Sequence, residues 1–250
     1  MTDENNKYPK DSVKKGVYIF PNLLTSASLF SGFFGMVSVW NGNFKLSAYL
    51  IILSAIFDML DGRVARMTGA VSRFGVEYDS IADVVAFGAA PAFLVYVWAL
   101  EPYGRLGIIV SFLYLVCGAL RLARFNVQVN TVESRKFNGL PIPGAAMVIA
   151  SVVLFYYELG GEGKTLKEFL ILVLVITLAF LMISNIKYHS FKDLDPIKRK
   201  PFSVLAIVIL AMILIVAHHE LFFFIIFFGY SMSGPAMYLY DRYKQKKGGK

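Results

Sequence analysis

The sequence predicts an all-α membrane protein, a polytopic bundle of helices. Of its 250 residues, 57% are hydrophobic and only 17% are charged, and the mean hydropathy is +0.60. Soluble domains carry about 25% charged residues. The apolar residues also form long runs, and each run is about long enough to cross a hydrocarbon core of roughly 30 Å as a helix. These observations favour an integral membrane protein over a soluble globular one.

Eight spans are predicted along the chain. Their limits are 19–41, 46–67, 79–100, 106–127, 141–159, 166–187, 202–218 and 220–240. The first span is too long for the apolar region of a signal peptide, and no small-residue cleavage site follows it, so we expect it to be retained. The connecting segments are mostly short and polar, as expected between neighbouring membrane helices.

Lysine and arginine are distributed unevenly between the two sides of the predicted bundle. With the N-terminus in the cytoplasm, 21 of the 25 basic residues fall in cytoplasmic segments and 4 on the other side. Basic residues accumulate on the cytoplasmic side of membrane proteins, so both termini are predicted to be cytoplasmic. The net charge of +8 therefore reflects the membrane topology of the chain. A nucleic-acid partner is not expected, because the basic residues are divided among five segments.

Four aspartates mark the end of the second span and the start of the third: Asp58, Asp61, Asp79 and Asp83. Spacings of three and four residues place each pair on one face of its helix. In the predicted topology all four carboxylates lie at one depth, at the cytoplasmic rim. Clustered carboxylates repel one another strongly near a membrane, so a cation should hold them. Mg²⁺ or Mn²⁺ suit such oxygen ligands, and two bridged ions would clamp a phosphate or pyrophosphate.

Two other interpretations of the aspartates stay open at this point. The carboxylates could form an interfacial lattice of ion pairs with Arg63, Arg66 and Arg73. They could also mark the path of a cation or proton transporter, because intramembrane carboxylates often line such paths. A transporter would more typically place them on broken helices near mid-membrane, whereas these four lie at the rim.

Eight residues around the aspartates follow the pattern D-x2-D-G-x2-A-R-x8-G-x3-D-x3-D. They are Asp58, Asp61, Gly62, Ala65, Arg66, Gly75, Asp79 and Asp83. The pattern resembles the signature of the CDP-alcohol phosphatidyltransferases. This resemblance implies a six-helix membrane bundle, a homodimer, and a polar cavity that opens to the cytoplasm.

Two further segments resemble one branch of this family, the phosphatidylserine synthases. They are "FPNLLTSASLFSGF" at 20–33 and "ALRLARFN…FNGLPIPGAA" at 119–146. The resemblance implies transfer of the phosphatidyl group from CDP-diacylglycerol to L-serine, giving phosphatidylserine and CMP. Glycerol 3-phosphate or an inositol phosphate stays open as an alternative acceptor. The family resemblance also divides the chain into three parts. They are a cytoplasmic juxtamembrane segment, 1–18, a six-helix catalytic domain, 19–187, and a C-terminal part, 188–250.

The resemblance also implies roles for the aspartates. Asp58, Asp61 and Asp79 match the ligands of a first divalent metal ion, Mg²⁺ or Mn²⁺. Asp58, Asp79 and Asp83 match the ligands of a second ion. Asp83 further matches the general base, which would take the proton of the serine hydroxyl.

The donor lipid is expected to contact the residues between the aspartates. Gly62, Arg66 and Ser72 match positions that hold the cytidine diphosphate group, and Ala65 and Gly75 leave room for it. The acyl chains would remain in membrane lipid, which explains a site at the rim.

Three more residues are candidate substrate ligands. Asn22 is expected to reach a metal ion or the pyrophosphate. Arg121 or Arg124, at the cytoplasmic end of the fourth span, could bind the carboxylate of serine or simply anchor the helix at the interface. The last two spans, 202–240, lie outside the six-helix core and are expected to serve packing or oligomerisation.

Overall fold

The computed structural model describes residues 18–129, 137–161, 164–188 and 219–248. Within these ranges the chain is helical apart from short connections and one antiparallel pair of two-residue strands, β1 (Phe137–Asn138) and β2 (Lys187–Tyr188). The helices are α1 (Ile19–Trp40), α2 (Phe44–Thr68), α3 (Arg73–Tyr103), α4 (Arg105–Val129), α5 (Ile142–Glu158), α6 (Lys164–Ile183) and α7 (His219–Gly248).

Among the described residues, four helices are long and apolar enough to cross a membrane. They are α1, α3, the Arg105–Val127 part of α4 and the His219–Tyr238 part of α7. The predicted class, a helical membrane protein, is therefore confirmed. A helix occupies each of the first six predicted spans and the eighth, although α6 ends at Ile183, four residues before the predicted limit. The seventh span, 202–218, lies outside the described residues, as do the segments 1–17 and 189–201.

Small and hydroxylated residues bring α1 against α2 and α3. Ser28 and Ser54 lie with their Oγ atoms 2.7 Å apart, and each hydroxyl also bonds to the backbone carbonyl of the other residue. A Cβ at Gly32 would lie 2.6 Å from Cα of Ala86, so only glycine permits this approach of α1 to α3. Such small residues are the usual means of close helix contact in membranes.

The middle of α3 runs through the core and departs twice from α-helical geometry. Val84–Ala89 and Tyr96–Leu100 are π-helical turns. The wider π-helical turn changes the backbone hydrogen-bond pattern. In the first of these turns, the carbonyl of Phe87 accepts a hydrogen bond from the hydroxyl of Tyr114 on α4, at 3.1 Å. Both of these side chains are fully buried. This core lies directly beyond the acidic residues that begin α3.

The segment that enters α5 is fastened to the end of α6. The amide of Gly139 donates to the carbonyl of Ile186, and that of Leu140 to Leu181, at 2.9 and 3.0 Å. Gly139 has a φ of +80°, and a Cβ there would overlap the carbonyl of Met182. Both facts require glycine at this position.

Candidate active site

A tight turn between α2 and α3 brings the predicted site residues together. Gly69 ends α2 in the left-handed conformation, with a φ of +67°. Ser72 then caps α3, because its Oγ accepts a hydrogen bond from the amide of Gly75 at 3.0 Å. The short connection makes the two helices antiparallel neighbours, so the end of α2 lies beside the start of α3.

The four predicted aspartates form one group at this place, which we call the acidic cluster: Asp58, Asp61, Asp79 and Asp83. Carboxylate oxygens of Asp58, Asp61 and Asp79 all lie within 4.8 Å of one another. The carboxyl group of Asp83 lies beside that of Asp58. Asp61 and Asp83 are buried, at 5% and 9% exposure.

The acidic cluster has the donor set for a hard divalent cation. Its oxygen atoms are of the kind that Mg²⁺ and Mn²⁺ prefer, and buried carboxylates this close repel one another unless a cation or protons intervene. Among the described residues, no arginine forms an ion pair with the cluster. Arg66 acts on Asp58 and Asp61 only at longer range. The arrangement thus disfavours a salt-bridge lattice and fits a metal site.

Asp61 is held in place by a hydroxyl on α1. Oγ1 of Thr25 lies 2.7 Å from Oδ2 of Asp61 and donates to it. The same Thr25 oxygen lies 3.2 Å from the carbonyl of Pro21, one turn earlier. The Thr25 hydroxyl thus orients one carboxylate of the cluster in a buried setting, as outer-shell hydrogen bonds do at metal sites.

Two more side-chain hydrogen bonds fix the start of α3. The hydroxyls of Ser26 on α1 and Tyr78 on α3 lie 2.8 Å apart. On the other side, Nδ2 of Asn126 on α4 donates to Oγ of Ser80 at 2.8 Å. Tyr78 and Ser80 flank Asp79 in the sequence, so these contacts hold that aspartate between α1 and α4.

A pocket of about 320 Å³ opens beside the acidic cluster. Its lining includes six of the predicted substrate residues, namely Asn22, Gly62, Ala65, Arg66, Ser72 and Gly75. Asp61 and Asp79 also face it, so the pocket and the acidic cluster form one continuous site.

The two glycines of the pocket wall lie where a side chain would take up space. A Cβ at Gly75 would lie 3.2 Å from Oγ of Ser72 and 3.5 Å from Oδ1 of Asn22. A Cβ at Gly62 would lie 3.3 Å from a terminal nitrogen of Arg66. Glycine at these two positions therefore keeps space open at the pocket wall.

The structure separates the two arginines predicted at the end of the fourth span. Arg121 is buried, at 6% exposure, within electrostatic range of Asp83, and its Nε has no hydrogen-bond partner among the described residues. Arg124 instead donates to the carbonyl of Ile183 at 3.0 Å and to Oδ1 of Asn185 at 3.3 Å. Arg121 thus lies toward the acidic cluster, whereas Arg124 is engaged at the end of α6.

Comparison with known sequences places this site in a family. The sequence model of the family described as CDP-alcohol phosphatidyltransferase matches residues 18–183. The chain belongs to the CDP-alcohol phosphatidyltransferase family. The family membership predicted from the aspartate pattern is thereby confirmed. The predictions that the chain is an enzyme and an integral membrane protein are also confirmed.

Relatives within the CDP-alcohol phosphatidyltransferase family share much of the chain. A CDP-diacylglycerol–serine O-phosphatidyltransferase of Helicobacter pylori is 40% identical over 200 residues, which are 79% of this chain and 82% of the relative. An archaetidylserine synthase of Methanothermobacter thermautotrophicus is 39% identical over 172 residues, or 67% and 68% of the two chains. A CDP-diacylglycerol–serine O-phosphatidyltransferase of Bacillus subtilis is 34% identical over 172 residues, or 69% and 90%.

Sequence reasoning within this family missed the contribution of Thr25. The residue lies outside the aspartate signature, yet it lines the pocket and bonds to Asp61. A signal was available, since Thr25 follows Asn22 by three residues and therefore shares its face of α1. Tyr78 and Asn126 gave no comparable signal, because their partners are distant in the sequence.

Proposed function

We propose that the chain transfers the phosphatidyl group of CDP-diacylglycerol to L-serine, giving phosphatidylserine and CMP. The observation that carries the proposal is the continuity of the pocket with the acidic cluster. Serine transfer is supported by the names of the relatives, which are serine O-phosphatidyltransferases and an archaetidylserine synthase.

The pocket is proposed to hold the cytidine diphosphate group of the donor. Its volume of about 320 Å³ lies within the usual range of ligand pockets, about 300–1,000 Å³. Gly62, Ala65 and Gly75 let a flat group lie against the backbone, while Arg66 supplies a positive charge for the diphosphate. Ser72 and Asn22 offer polar atoms at the same wall. The acyl chains extend from this pocket into membrane lipid.

The acidic cluster is proposed to hold two divalent ions, Mg²⁺ or Mn²⁺. Asp58, Asp61 and Asp79 would bind the first ion, and Asp58, Asp79 and Asp83 the second. Ions bound there would neutralise the pyrophosphate and stabilise the leaving CMP. Thr25 keeps the Asp61 carboxylate oriented, and the turn after Gly69 keeps α2 and α3 close enough to share ligands.

The acceptor is proposed to lie between Asp83 and Arg121. Three bonds separate the hydroxyl oxygen of serine from its carboxylate carbon, so groups that bind the two ends must lie near each other. Arg121 is the proposed partner of the serine carboxylate, because it is buried and the charge of Asp83 acts on it. Arg124 is a weaker candidate for the carboxylate, because its guanidinium is already bonded at the end of α6.

The reaction proceeds as a displacement at phosphorus. The serine oxygen attacks the β-phosphorus, which carries the diacylglycerol, and the bond from this phosphorus to the bridging oxygen breaks. Asp83 accepts the hydroxyl proton as the new P–O bond forms. CMP leaves with the bridging oxygen and the electron pair of the broken bond. Burial of Asp83 at the edge of the cluster keeps competing water away from the base.

The same proposal includes the membrane arrangement of the chain. Eight spans, with both termini and the active site in the cytoplasm, agree with the 21 basic residues on that side. Segment 1–18 precedes the six-helix catalytic domain, 19–187, and 188–250 forms a C-terminal addition. A homodimer is proposed from the family resemblance.

Release of CMP from CDP-diacylglycerol tests the function. The purified full chain in detergent is offered L-serine, glycerol 3-phosphate or an inositol phosphate, with Mg²⁺, Mn²⁺ or a chelator. We expect metal-dependent CMP release with L-serine, and none in an Asp79→Asn variant. CMP release with a different acceptor alone would contradict the serine assignment. Metal-dependent ion flux in proteoliposomes without CMP release would instead support a transporter.

A further inference from the structure

A proline follows the first π-helical turn of α3 and disturbs the backbone hydrogen bonds there. Pro91 lies two residues beyond this turn, Val84–Ala89. Proline has no amide hydrogen, so it cannot bond to the carbonyl four residues earlier, and its ring crowds that carbonyl. The carbonyl concerned belongs to Phe87, inside the turn. At the end of the turn, the amide of Ala90 bonds to the carbonyl of Val85, five residues back.

A tyrosine on α4 supplies a donor to the carbonyl that Pro91 deprives of its α-helical partner. The hydroxyl of Tyr114 donates to the carbonyl of Phe87 at 3.1 Å, and both side chains are fully buried. A buried carbonyl without a donor is unfavourable, because water cannot replace the lost hydrogen bond. In membrane helices, a neighbouring helix commonly provides the bond that a proline removes. Tyr114 therefore stabilises this turn of α3 from outside the helix.

The same turn is packed closely against α1 and α4. Ala86 lies against Gly32 of α1, where a Cβ would lie 2.6 Å from the Cα of Ala86. A Cβ at Gly88 would lie 2.8 Å from Cδ1 of Leu115 on α4. Such close contacts leave the turn little room to change its shape, and the Tyr114 bond acts on it in this confined setting.

The acidic residues of α3 precede the turn directly. Asp83 is the last residue of the α-helical stretch Arg73–Asp83, which also carries Asp79. A π-helical turn contains more residues than an α-helical one, and each residue of an α-helix corresponds to about 100° of rotation. The shape of the turn therefore sets the direction of the Asp83 side chain relative to the packed part of α3. Asp83 is 9% exposed, so it has little freedom to correct a wrong direction.

We propose that Tyr114 is a positioning residue that, through the carbonyl of Phe87, holds the first π-helical turn of α3 and so directs the Asp83 carboxylate into the acidic cluster. This inference rests on the proposed function, in which Asp83 takes the proton of the serine hydroxyl. Tyr114 itself touches neither substrate nor metal. Its effect reaches the reaction along the backbone, over the four residues from Phe87 back to Asp83.

The test compares Tyr114→Phe with Tyr188→Phe in the full-length protein. Tyr188 is a matched control, because its buried hydroxyl also donates to a backbone carbonyl, that of Ser231 at 2.9 Å, but far from α3 in the sequence. We expect the melting temperature to fall in both variants. The kcat for CMP release with L-serine should fall about ten-fold or more in Tyr114→Phe alone, since a small misplacement of a reacting group slows the reaction. The KM for CDP-diacylglycerol should stay unchanged, because no residue of the turn is among those that line the described pocket.

A double variant shows whether the effect passes through Asp83. In an Asp83→Asn background, Tyr114→Phe should lower kcat no further, because residues that act as a unit are non-additive. An additional ten-fold loss there would overturn the inference. So would equal kcat values in Tyr114→Phe and Tyr188→Phe, or a rise in the donor KM as large as the fall in kcat.

Hydrogen exchange of the amides in 84–90 gives a measurement that does not depend on the reaction. We expect exchange to be faster in Tyr114→Phe than in wild type, and unchanged in Tyr188→Phe. Unchanged exchange in Tyr114→Phe would overturn the inference even in an active enzyme. Wild-type protein without serine-dependent CMP release would overturn the proposed function, and the exchange result would then still show whether Tyr114 holds the turn.

Discussion

The Oγ1 hydroxyl of Thr25 donates a 2.7 Å hydrogen bond to Oδ2 of Asp61, and so joins α1 to the acidic cluster. The bond is buried, with Thr25 at 4% and Asp61 at 5% exposure. A buried bond to a carboxylate is shielded from water and is therefore expected to control the direction of its acceptor. Metal affinity should depend on a residue that is not itself a metal ligand.

Replacement of Thr25 by valine tests this dependence. Thr25→Val keeps the shape of the side chain but removes the donor to Asp61. We expect Mn²⁺ binding, measured by calorimetry, and the Mn²⁺ requirement for CMP release to weaken about ten-fold or more. Thr25→Ser should retain most of the affinity. Thr177→Val is a control on α6, where the hydroxyl bonds only to its own helix, at the carbonyl of Val173. Unaltered Mn²⁺ affinity in Thr25→Val would show that the bond is dispensable.

The Asp83→Asn substitution tests whether Asp83 acts as the general base or only as a metal ligand. Asp83→Asn retains one oxygen for a metal ion but cannot take a proton from the acceptor. We expect kcat to fall by about 10²–10⁴-fold. Asp58→Asn should weaken donor binding as well as turnover, because Asp58 adjoins both Asp61 and Asp83 in the cluster.

The comparison is made at saturating Mg²⁺ or Mn²⁺, with kcat and donor affinity measured for both variants. A near-normal kcat in Asp83→Asn would remove this residue from the base role. Equal loss of donor affinity in the two variants would assign Asp83 to metal binding alone.

Alanine at Gly75 should narrow the pocket. The added methyl group would lie 3.2 Å from Oγ of Ser72 and 3.5 Å from Oδ1 of Asn22. Overpacking of this kind typically costs about 1–3 kcal/mol, so we expect the KM for CDP-diacylglycerol to rise about ten-fold. Gly229→Ala is the control, because a Cβ at Gly229 would lie within 4 Å of no atom in the described part of the chain. A normal donor KM in Gly75→Ala would place the nucleotide outside this pocket.

Labelling of single cysteines tests the orientation. Cys117 is the only cysteine, so a Cys117→Ser background is free of other thiols. Met67 and Leu159 are 79% and 71% exposed and lie at opposite ends of the predicted spans. In sealed spheroplasts, an impermeant maleimide should label Leu159→Cys and leave Met67→Cys unlabelled until the cells are lysed. The reverse pattern would invert the proposed topology.

Much of the site follows from local sequence pattern. Asp58 and Asp61 share a helix face by their spacing, as do Asp79 and Asp83, and a short polar turn makes their two helices neighbours. Basic residues at the ends of the apolar runs supply the proposed orientation. Gly62 and Gly75 line the pocket. The helical spacing predicts a close approach to a ligand at Gly62, whereas Gly75 is expected from the family resemblance.

Other features depend on contacts between distant parts of the chain. Nothing local distinguishes Arg121 from Arg124, yet one lies buried toward Asp83 and the other caps α6. The π-helical turns of α3 likewise cannot be predicted from the sequence, because every residue in them is hydrophobic or small. The docking of α7 against α5 and Tyr188 depends on such contacts as well.

The residues that line the pocket all fall between Pro21 and Asp79. During synthesis, this part of the chain leaves the ribosome before Arg121. The helices that line the pocket are therefore available in the bilayer before α4 is complete. If the proposed assignment of donor and acceptor is correct, the nascent chain passes through a stage at which the residues for the nucleotide lipid are in place and those for the alcohol are not.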